Sequence, residues 1–199
     1  MKLKLKTGPA FRALNESGID IENSERRVVK FSGSSEYPVE RFDWDSGERY
    51  MEILDHSPEN VDLSRVLSGG PILDCHWGDQ IGVIESLTLE NKRTVVTARF
   101  SSAGDRANQI WADVANGIRR NISVGYRLTK ILEVKSGENS DTSGRVLKQI
   151  RFAWQPYEFS MVPVPADPTV GVGRSNWQGV ETLSFDVLPE KTTTFFILK

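Results

Sequence analysis

The chain has 199 residues, of which 38% are hydrophobic and 26% are charged, and its formal net charge is -2. This composition predicts one globular domain with tails, and the near-neutral charge gives little support to nucleic-acid binding. Cys75 is the only cysteine, so no intramolecular disulfide can form, and the sequence has neither zinc-ligand spacing nor an apolar run typical of signal peptides or membrane spans. We therefore expect a cytoplasmic protein with no cofactor, no metal, and no membrane or nucleic-acid partner.

Along the chain, periodicity and turn residues predict short strands with a few helices between them. Residues 1–24 are polar and rich in turn formers, which predicts a flexible arm. Helices are predicted after Ser57, where Pro58 suits the first helical position, and over 105–117, where apolar residues recur every three or four positions. Strands are predicted over 27–33, 72–76, 81–89, 94–100, 122–134, 146–152 and 157–162.

The remaining segments predict loops and tails. Residues 34–50 mix turn formers and aromatic residues, which indicates a loop or an edge hairpin, and the polar stretch Lys135–Gly144 predicts a mobile loop. Residues 25–174 are taken as the folded domain, and 175–199 as an extension of unknown role. Within that extension, Thr192–Leu198 has strong β propensity and is expected to join a sheet of its own chain or of a neighbour.

Many short strands with two or three helices favour an α+β fold. The expected architecture is an antiparallel, barrel-like β core with a few surrounding helices, because alternating apolar positions are typical of half-buried antiparallel strands.

Ser123 lies where the second predicted helix is followed by a strand, and it is a candidate nucleophile. A serine hydroxyl needs an adjacent base and donors for the oxyanion before it reacts, and a lone serine in a strand is more often a buried hydroxyl bonded to backbone. His76 is the natural base, because an ordinary pKa of about 6.5 leaves a neutral imidazole near pH 7. His56 directly precedes a predicted helix and is interpreted as a surface residue.

Glu158 is the candidate third member of this group. It lies between two aromatic residues of a predicted strand, where burying an unpaired charge would be costly. Orienting the His76 imidazole would explain the acid, and so would a position facing solvent. Asp74 and Asp79, close to His76 in sequence, are alternatives for the same role.

Two other serines and an arginine pair complete the candidates. Ser160 follows Glu158 by two residues, so both side chains share one face of a strand and Ser160 could support the carboxylate. Ser86 lies on an alternating strand where its hydroxyl can face solvent. The pair Arg119-Arg120 provides either charges at the end of the helix or a group that binds substrate carbonyls or carboxylates.

Three blocks occur in a fixed order: Leu73–Gly82 with His76, Ile122–Tyr126 with Ser123, and Glu158–Pro168. On these blocks, residues 25–173 resemble the prohead (capsid-maturation) protease family of tailed bacteriophages, which is related to the herpesvirus assemblin fold. The resemblance implies a serine endopeptidase acting inside the assembling procapsid in the host cytoplasm. Its partners would be the phage major capsid protein or scaffold as substrate, with other copies of itself as a further partner.

The resemblance implies that Ser123 is the nucleophile, His76 the general base and Glu158 the third catalytic residue. Asp74 and Asp79 remain alternatives for the third role. The alternative function is a catalytically inactive scaffold or structural capsid-assembly protein that retains the protease fold. Self-association is possible under either reading.

Overall fold

The computed structural model describes residues 21–23, 25–140 and 144–174, with side chains over 25–137 and 144–174. The strands in this part of the chain are β1 (Ile21–Asn23), β2 (Val28–Ser35), β3 (Val39–Phe42), β4 (Arg49–Leu54), β5 (Pro71–Asp74), β6 (Gln80–Glu90), β7 (Arg93–Phe100), β8 (Ile122–Ser140), β9 (Val146–Met161) and β10 (Gly171–Val172). The helices are a 3-10 turn (Pro58–Asn60), α1 (Ser64–Leu67) and α2 (Asp105–Ala115).

The strands form one open, mixed sheet. Its order is β1-β2-β7-β6-β5-β9-β4-β3, with β10 beside β2 and β8 beside β9. Both β4 and β5 run parallel to β9, whereas the other neighbours are antiparallel. In the described residues β1 and β3 are the two ends of this order and do not pair with each other.

The predicted α+β fold with an antiparallel, barrel-like core is therefore wrong. The sheet is open rather than closed, and one of the two α-helices is only four residues long. Alternation along each strand indicates which face is buried, but it does not indicate which distant strand is the neighbour. The parallel neighbours of β9 come from segments about a hundred residues earlier, and local sequence patterns carry no signal for such pairs.

Two long strands, β8 and β9, replace several predicted elements. The predicted strands 146–152 and 157–162 are one strand, and Pro156 is accommodated beside a bulge at Gly125/Tyr126, where a missing N–H is tolerated. The predicted loop Lys135–Gly144 is wrong over residues 135–140, which continue β8 and pair with β9. The side chains of Lys135 and Ser136 are exposed to water, which gives this part of the strand the polar composition of a loop.

The segment after Ser57 is less helical than predicted. Val61 makes a parallel bridge to Trp154 of β9, so the backbone leaves the helix between the 3-10 turn and α1. By contrast, the predicted edge hairpin within 34–50 is confirmed by the antiparallel pair β3–β4, which ends the sheet. The periodic stripe over 105–117 is confirmed as α2.

The main core lies between α2 and the sheet. From α2 the buried residues are Ala107, Ile110 and Val114. From the sheet they include Phe31, Ile72, Ile81, Val96, Phe100, Ile122, Phe159 and Met161. Each large apolar side chain contributes about 1.5–3 kcal/mol when fully buried. Because this core holds the end of β5, the start of β8 and the end of β9, these three strand ends are firmly positioned.

Several predictions fall on residues outside the described ranges. Of the predicted arm, Ile21–Asn23 lies within the described residues, where it forms β1 and pairs with β2. The rest of the arm and the extension 175–199, with Thr192–Leu198, lie outside the described residues. Of the helices in the described residues, none is both long and apolar enough to cross a membrane.

Candidate serine–histidine–glutamate site

Three neighbouring strands bring the candidate residues together. Ser160 of β9 pairs with Leu73 of β5 and with Ser123 of β8, so β9 runs between the other two strands at this point. Ser123 is near the start of β8, Glu158 lies on β9, and His76 follows the end of β5. The open sheet thus supplies each member from a different strand.

A tight turn after β5 directs the His76 side chain. Cys75 has a φ of 61°, in the left-handed region that costs a non-glycine residue roughly 1–2 kcal/mol. Its N–H donates to the Met161 carbonyl at 3.0 Å, and the Gly78 N–H donates to the Cys75 carbonyl at 3.2 Å. A Cβ at Gly78 would lie 1.8 Å from the Asp74 carbonyl oxygen, so the turn requires glycine there.

The imidazole of His76 joins the serine and the glutamate. Its Nδ1 lies 2.6 Å from Glu158 Oε1, and its Nε2 lies 2.9 Å from Ser123 Oγ. Because an ionised carboxylate only accepts hydrogen bonds, Nδ1–H donates to Glu158, which leaves Nε2 to accept from the Ser123 hydroxyl. The His76 side chain is 36% exposed, whereas that of Glu158 is 10% exposed. The imidazole is therefore reachable from solvent while its carboxylate partner is enclosed.

Glu158 is held on both carboxylate oxygens. Ser160 donates to Glu158 Oε2 at 2.6 Å, which confirms the predicted support of the acid by this serine. Opposite Glu158 in the strand register stands Gly125, and a Cβ at that position would lie 2.2 Å from Oε1. The position of the carboxylate therefore depends on the absence of a side chain at residue 125.

The alternative acids are engaged elsewhere or exposed. Arg106 and Arg119 both bind the Asp74 carboxylate, and Asp79 is exposed. The carboxylate that His76 contacts is that of Glu158, so the geometry favours Glu158 for the third role.

The arginine pair has a structural position. Arg119 donates to Asp113 at 3.1 Å as well as to Asp74, and Arg120 Nε donates to the Gly117 carbonyl at 3.0 Å just past α2. Each guanidinium group thus binds a group at or just after α2, in line with the first of the two predicted roles, and Arg119 also links the helix to Asp74 of β5. Ser86 is exposed on β6, as expected.

The arrangement has a defined chemical capacity. As the Ser123 oxygen attacks an electrophilic centre, its proton can pass to His76 Nε2, and Glu158 then stabilises the imidazolium through Nδ1–H. The same three residues also form a cross-strand hydrogen-bond chain that ties β5, β9 and β8 together.

His56 is buried, so its predicted surface position is wrong. It is 5% exposed, its Nδ1 donates to the Leu54 carbonyl at 2.9 Å, and its Nε2 accepts from Ser34 Oγ at 2.8 Å. Ser34 Oγ lies 2.9 Å from Thr94 Oγ1. Burial lowers the pKa of His56 from 6.5 to about 4. This second serine–histidine contact has the Leu54 carbonyl instead of a carboxylate on the imidazole, and burial outweighs the nearby charges of Glu36, Asp55 and Asp167, so the ring stays neutral.

A cleft that is open to solvent extends from Ser123 between β8, β2, the β3–β4 hairpin and residues 166–170. At one part of its wall Arg41 Nε donates to Glu52 Oε1 at 3.0 Å and Arg41 donates to the Tyr126 hydroxyl at 2.9 Å. Tyr126 itself donates to Glu52. Burial, followed by the Glu52 carboxylate, raises the pKa of Tyr126 well above its ordinary value.

Sequence analysis missed this second polar group. The available signal was the acid Glu52 at an alternate position between Tyr50 and Leu54, on a face of β4 that is otherwise aromatic and aliphatic. A charge on such a face requires a partner, but the sequence alone does not show that Arg41 of the next strand supplies it.

Comparison with known proteins places the chain beside a coat protein. It is 44% identical over 160 residues to the major capsid protein of Halomonas phage phiHAP-1, and the match covers 77% of this chain and 24% of that protein. The chain resembles part of a phage capsid protein. No family model matches it, and no solved structure matches it.

This finding corrects the predicted family and activity. The relative is a capsid protein and not a prohead protease, so the predicted family is wrong, and so is the predicted serine endopeptidase activity. The bacteriophage capsid is the part of the prediction that the relative supports. The sequence blocks indicated that a serine, a histidine and a glutamate come together in the structure. Such a geometry does not by itself establish an activity. The catalytic roles of His76, Ser123 and Glu158 stay predictions.

Proposed function

We propose that this chain is a structural domain of a bacteriophage head, assembled into the capsid together with other coat subunits. The observation that carries the proposal is the 44% identity over 160 residues with a phage major capsid protein. The chain spans only 24% of that protein. The proposal is therefore that this chain corresponds to one domain of a coat subunit, and no other property of the relative is assigned to it.

Three exposed apolar side chains on loops next to neighbouring strand ends support a role in assembly. Asp74, Met161 and Ile122 are neighbours at the ends of β5, β9 and β8, and the three adjoining loops expose Trp77, Val164 and Ile118 by 99, 83 and 73%. The Asn121 side chain donates to the Pro163 carbonyl at 2.8 Å, which ties two of these loops together. Exposed apolar groups held on fixed loops are typical of protein contact surfaces.

The test is the composition and assembly of heads. In heads purified from infected cells, peptides from residues 25–174 should be present in equal amounts with the other segments of the major coat protein, as quantified by mass spectrometry. A Trp77→Ser variant should assemble poorly while it remains folded. Trp44→Ser is the matched control, because Trp44 is also highly exposed, at 87%, but packs against Phe42 in the β3–β4 hairpin. Mature heads without these peptides would contradict the structural role.

We also propose that Ser123 is a reactive hydroxyl, with His76 as its base and Glu158 as the residue that orients the imidazole. The two hydrogen bonds of 2.9 and 2.6 Å support this assignment. The proposal concerns the reactivity of one side chain and does not restore the endopeptidase.

A fluorophosphonate probe followed by peptide mass spectrometry tests this reactivity. The label should appear on Ser123, and His76→Ala should slow labelling by about 10²- to 10⁴-fold, the usual contribution of a general base. Ser160→Ala should slow it much less. Ser34 is an internal control, because it also contacts a histidine but is 3% exposed. Absence of label on Ser123 in the folded protein would refute the assignment whether or not heads contain the chain.

A further inference from the structure

The cleft beside Ser123 has a strand with a free edge as one wall. In the described residues β8 pairs with β9 alone, and Ile122, Ser123, Val124 and Tyr126 of β8 line the cleft. A free edge presents backbone N–H and C=O groups that an extended polypeptide can satisfy by adding a strand. The shape of the wall therefore favours an extended chain as the occupant.

The lining of the same cleft includes a buried carboxylate with one unused oxygen. Glu52 is 5% exposed, and its Oε1 is bound by both Arg41 and Tyr126. Among the residues that the structure describes, none donates a hydrogen bond to its Oε2. Buried polar atoms in native proteins normally have a partner, so an additional donor is expected at Oε2.

The charge of the cleft indicates which donor fits. The ionisable carboxylates and cations in its lining are Glu52, Asp167 and Arg41, so negative groups outnumber positive ones. Asp167 is already bound by Ser35 at 2.5 Å and by Thr169 at 2.7 Å. Glu52 Oε2 is thus the acceptor with capacity for a cationic group, and charge-assisted hydrogen bonds are the strong ones.

We infer that this cleft binds an extended polypeptide segment of another head protein, added as a strand along β8, with a lysine or arginine side chain donating to Glu52 Oε2. The inference rests on the proposed function only in assigning the segment to another head protein. Its chemistry depends on the free edge of β8 and on Glu52.

Short peptides test the occupant directly. The probes are N-terminally labelled, C-terminally amidated Ala-Val-Xaa-Val-Ala peptides in which Xaa is arginine, lysine, citrulline, norleucine or glutamate, and binding is measured by fluorescence anisotropy on the full chain. Arginine and lysine peptides should bind at least about tenfold more tightly than citrulline and norleucine peptides, and salt should reduce this preference. The arginine peptide should also slow amide exchange in residues 123–126.

The matched variants are Glu52→Gln and Glu40→Gln, which remove the same charge. Glu52→Gln should remove the preference for arginine over norleucine. Glu40 is 43% exposed on the neighbouring strand and bound by Arg49, so its variant should keep the preference. Circular dichroism and thermal melting establish whether each variant is folded. If Glu52→Gln does not fold, the wild-type peptide series decides the question alone.

Two results would overturn the inference: equal binding of the arginine and norleucine peptides to the wild type, or no slowing of exchange along β8. If the chain discriminates the peptides but is absent from mature heads, this inference stands and the proposed function is wrong. If the chain is present in heads but does not discriminate the peptides, only this inference is wrong.

Discussion

At the scale of single residues, the site depends on a position that has no side chain. Gly125 stands opposite Glu158, and an added Cβ would lie 2.2 Å from Oε1, 2.9 Å from Cδ and 3.1 Å from Cγ of that glutamate. The His76 imidazole takes its orientation from the same Oε1 atom. A methyl group at residue 125 therefore acts on the imidazole through the displaced carboxylate.

We expect Gly125→Ala to slow fluorophosphonate labelling of Ser123 at least about tenfold. This is less than the loss expected when the general base is removed, because His76 is still present but is no longer held in position. Crowding of a packed site also costs typically 1–3 kcal/mol of folding free energy, which denaturant unfolding can measure. Gly104→Ala is the control, because Gly104 has a φ of +83° and open space around its Cβ position. That variant should lose stability through backbone strain while labelling proceeds at the wild-type rate. Unchanged labelling of a folded Gly125→Ala protein would contradict this account.

The residues of the site were predictable to different degrees. His76, Ser123 and Glu158 stand in local blocks whose chain order was informative, and Ser160 follows from the two-residue repeat of a strand. His56 was misplaced because its burial beside Trp154 arises from a partner about a hundred residues away. The Arg41–Glu52 pair was missed for a different reason: the two residues are close in sequence, but the turn and register of the β3–β4 hairpin that join them were not predicted.

At the scale of elements, prediction succeeded where the pattern was local. The stripe that buries Ala107, Ile110 and Val114 is periodic and needs no distant partner to be recognised as helical. The segment after Ser57 has a good helix start, yet Val61 pairs with Trp154 and ends the helical geometry. Tertiary contacts overrode local propensity in that segment.

The longest strands were the hardest elements to delimit. β8 continues through polar residues because β9 supplies its hydrogen bonds, and the side chains of this ribbon are largely in water. Polar composition indicates exposure and does not distinguish an exposed ribbon from a loop. The bulges that interrupt β8 add irregularity that hides the alternation expected of a strand.

At the scale of the whole molecule, stability should depend on pH through His56. Its folded pKa of about 4 lies below the ordinary 6.5, so between these values the unfolded chain binds the proton and the folded chain does not. Stability from this group is complete above about pH 6.5 and is lost as pH falls towards 4. Burial is the main cause, and the charges of Glu36, Asp55 and Asp167 oppose it without cancelling it.

We expect the free energy of unfolding to fall by about 2 kcal/mol between pH 7 and pH 5 because of this group. Urea unfolding at each pH measures it, and a His56→Asn variant should show a smaller slope over this range. Asp55, whose pKa is lowered to about 2, should add a separate loss only below about pH 4. Equal slopes for the wild type and His56→Asn would contradict the assignment to His56.

The central place of β9 has a consequence for synthesis on the ribosome. This strand pairs with β8 and, in parallel, with both β4 and β5, and it is among the last described segments to be translated. Until Met161 has emerged from the exit tunnel, Glu158 and the strand that joins its neighbours are not available, although Ser123 and His76 were made earlier. Pairing across such long loops is slow because their closure entropy precedes the gain from contacts. The nascent chain therefore carries an unsupported Ser123 from the synthesis of that residue until β9 has emerged, and the hydrogen-bonded site forms only when β9 pairs with β5 and β8.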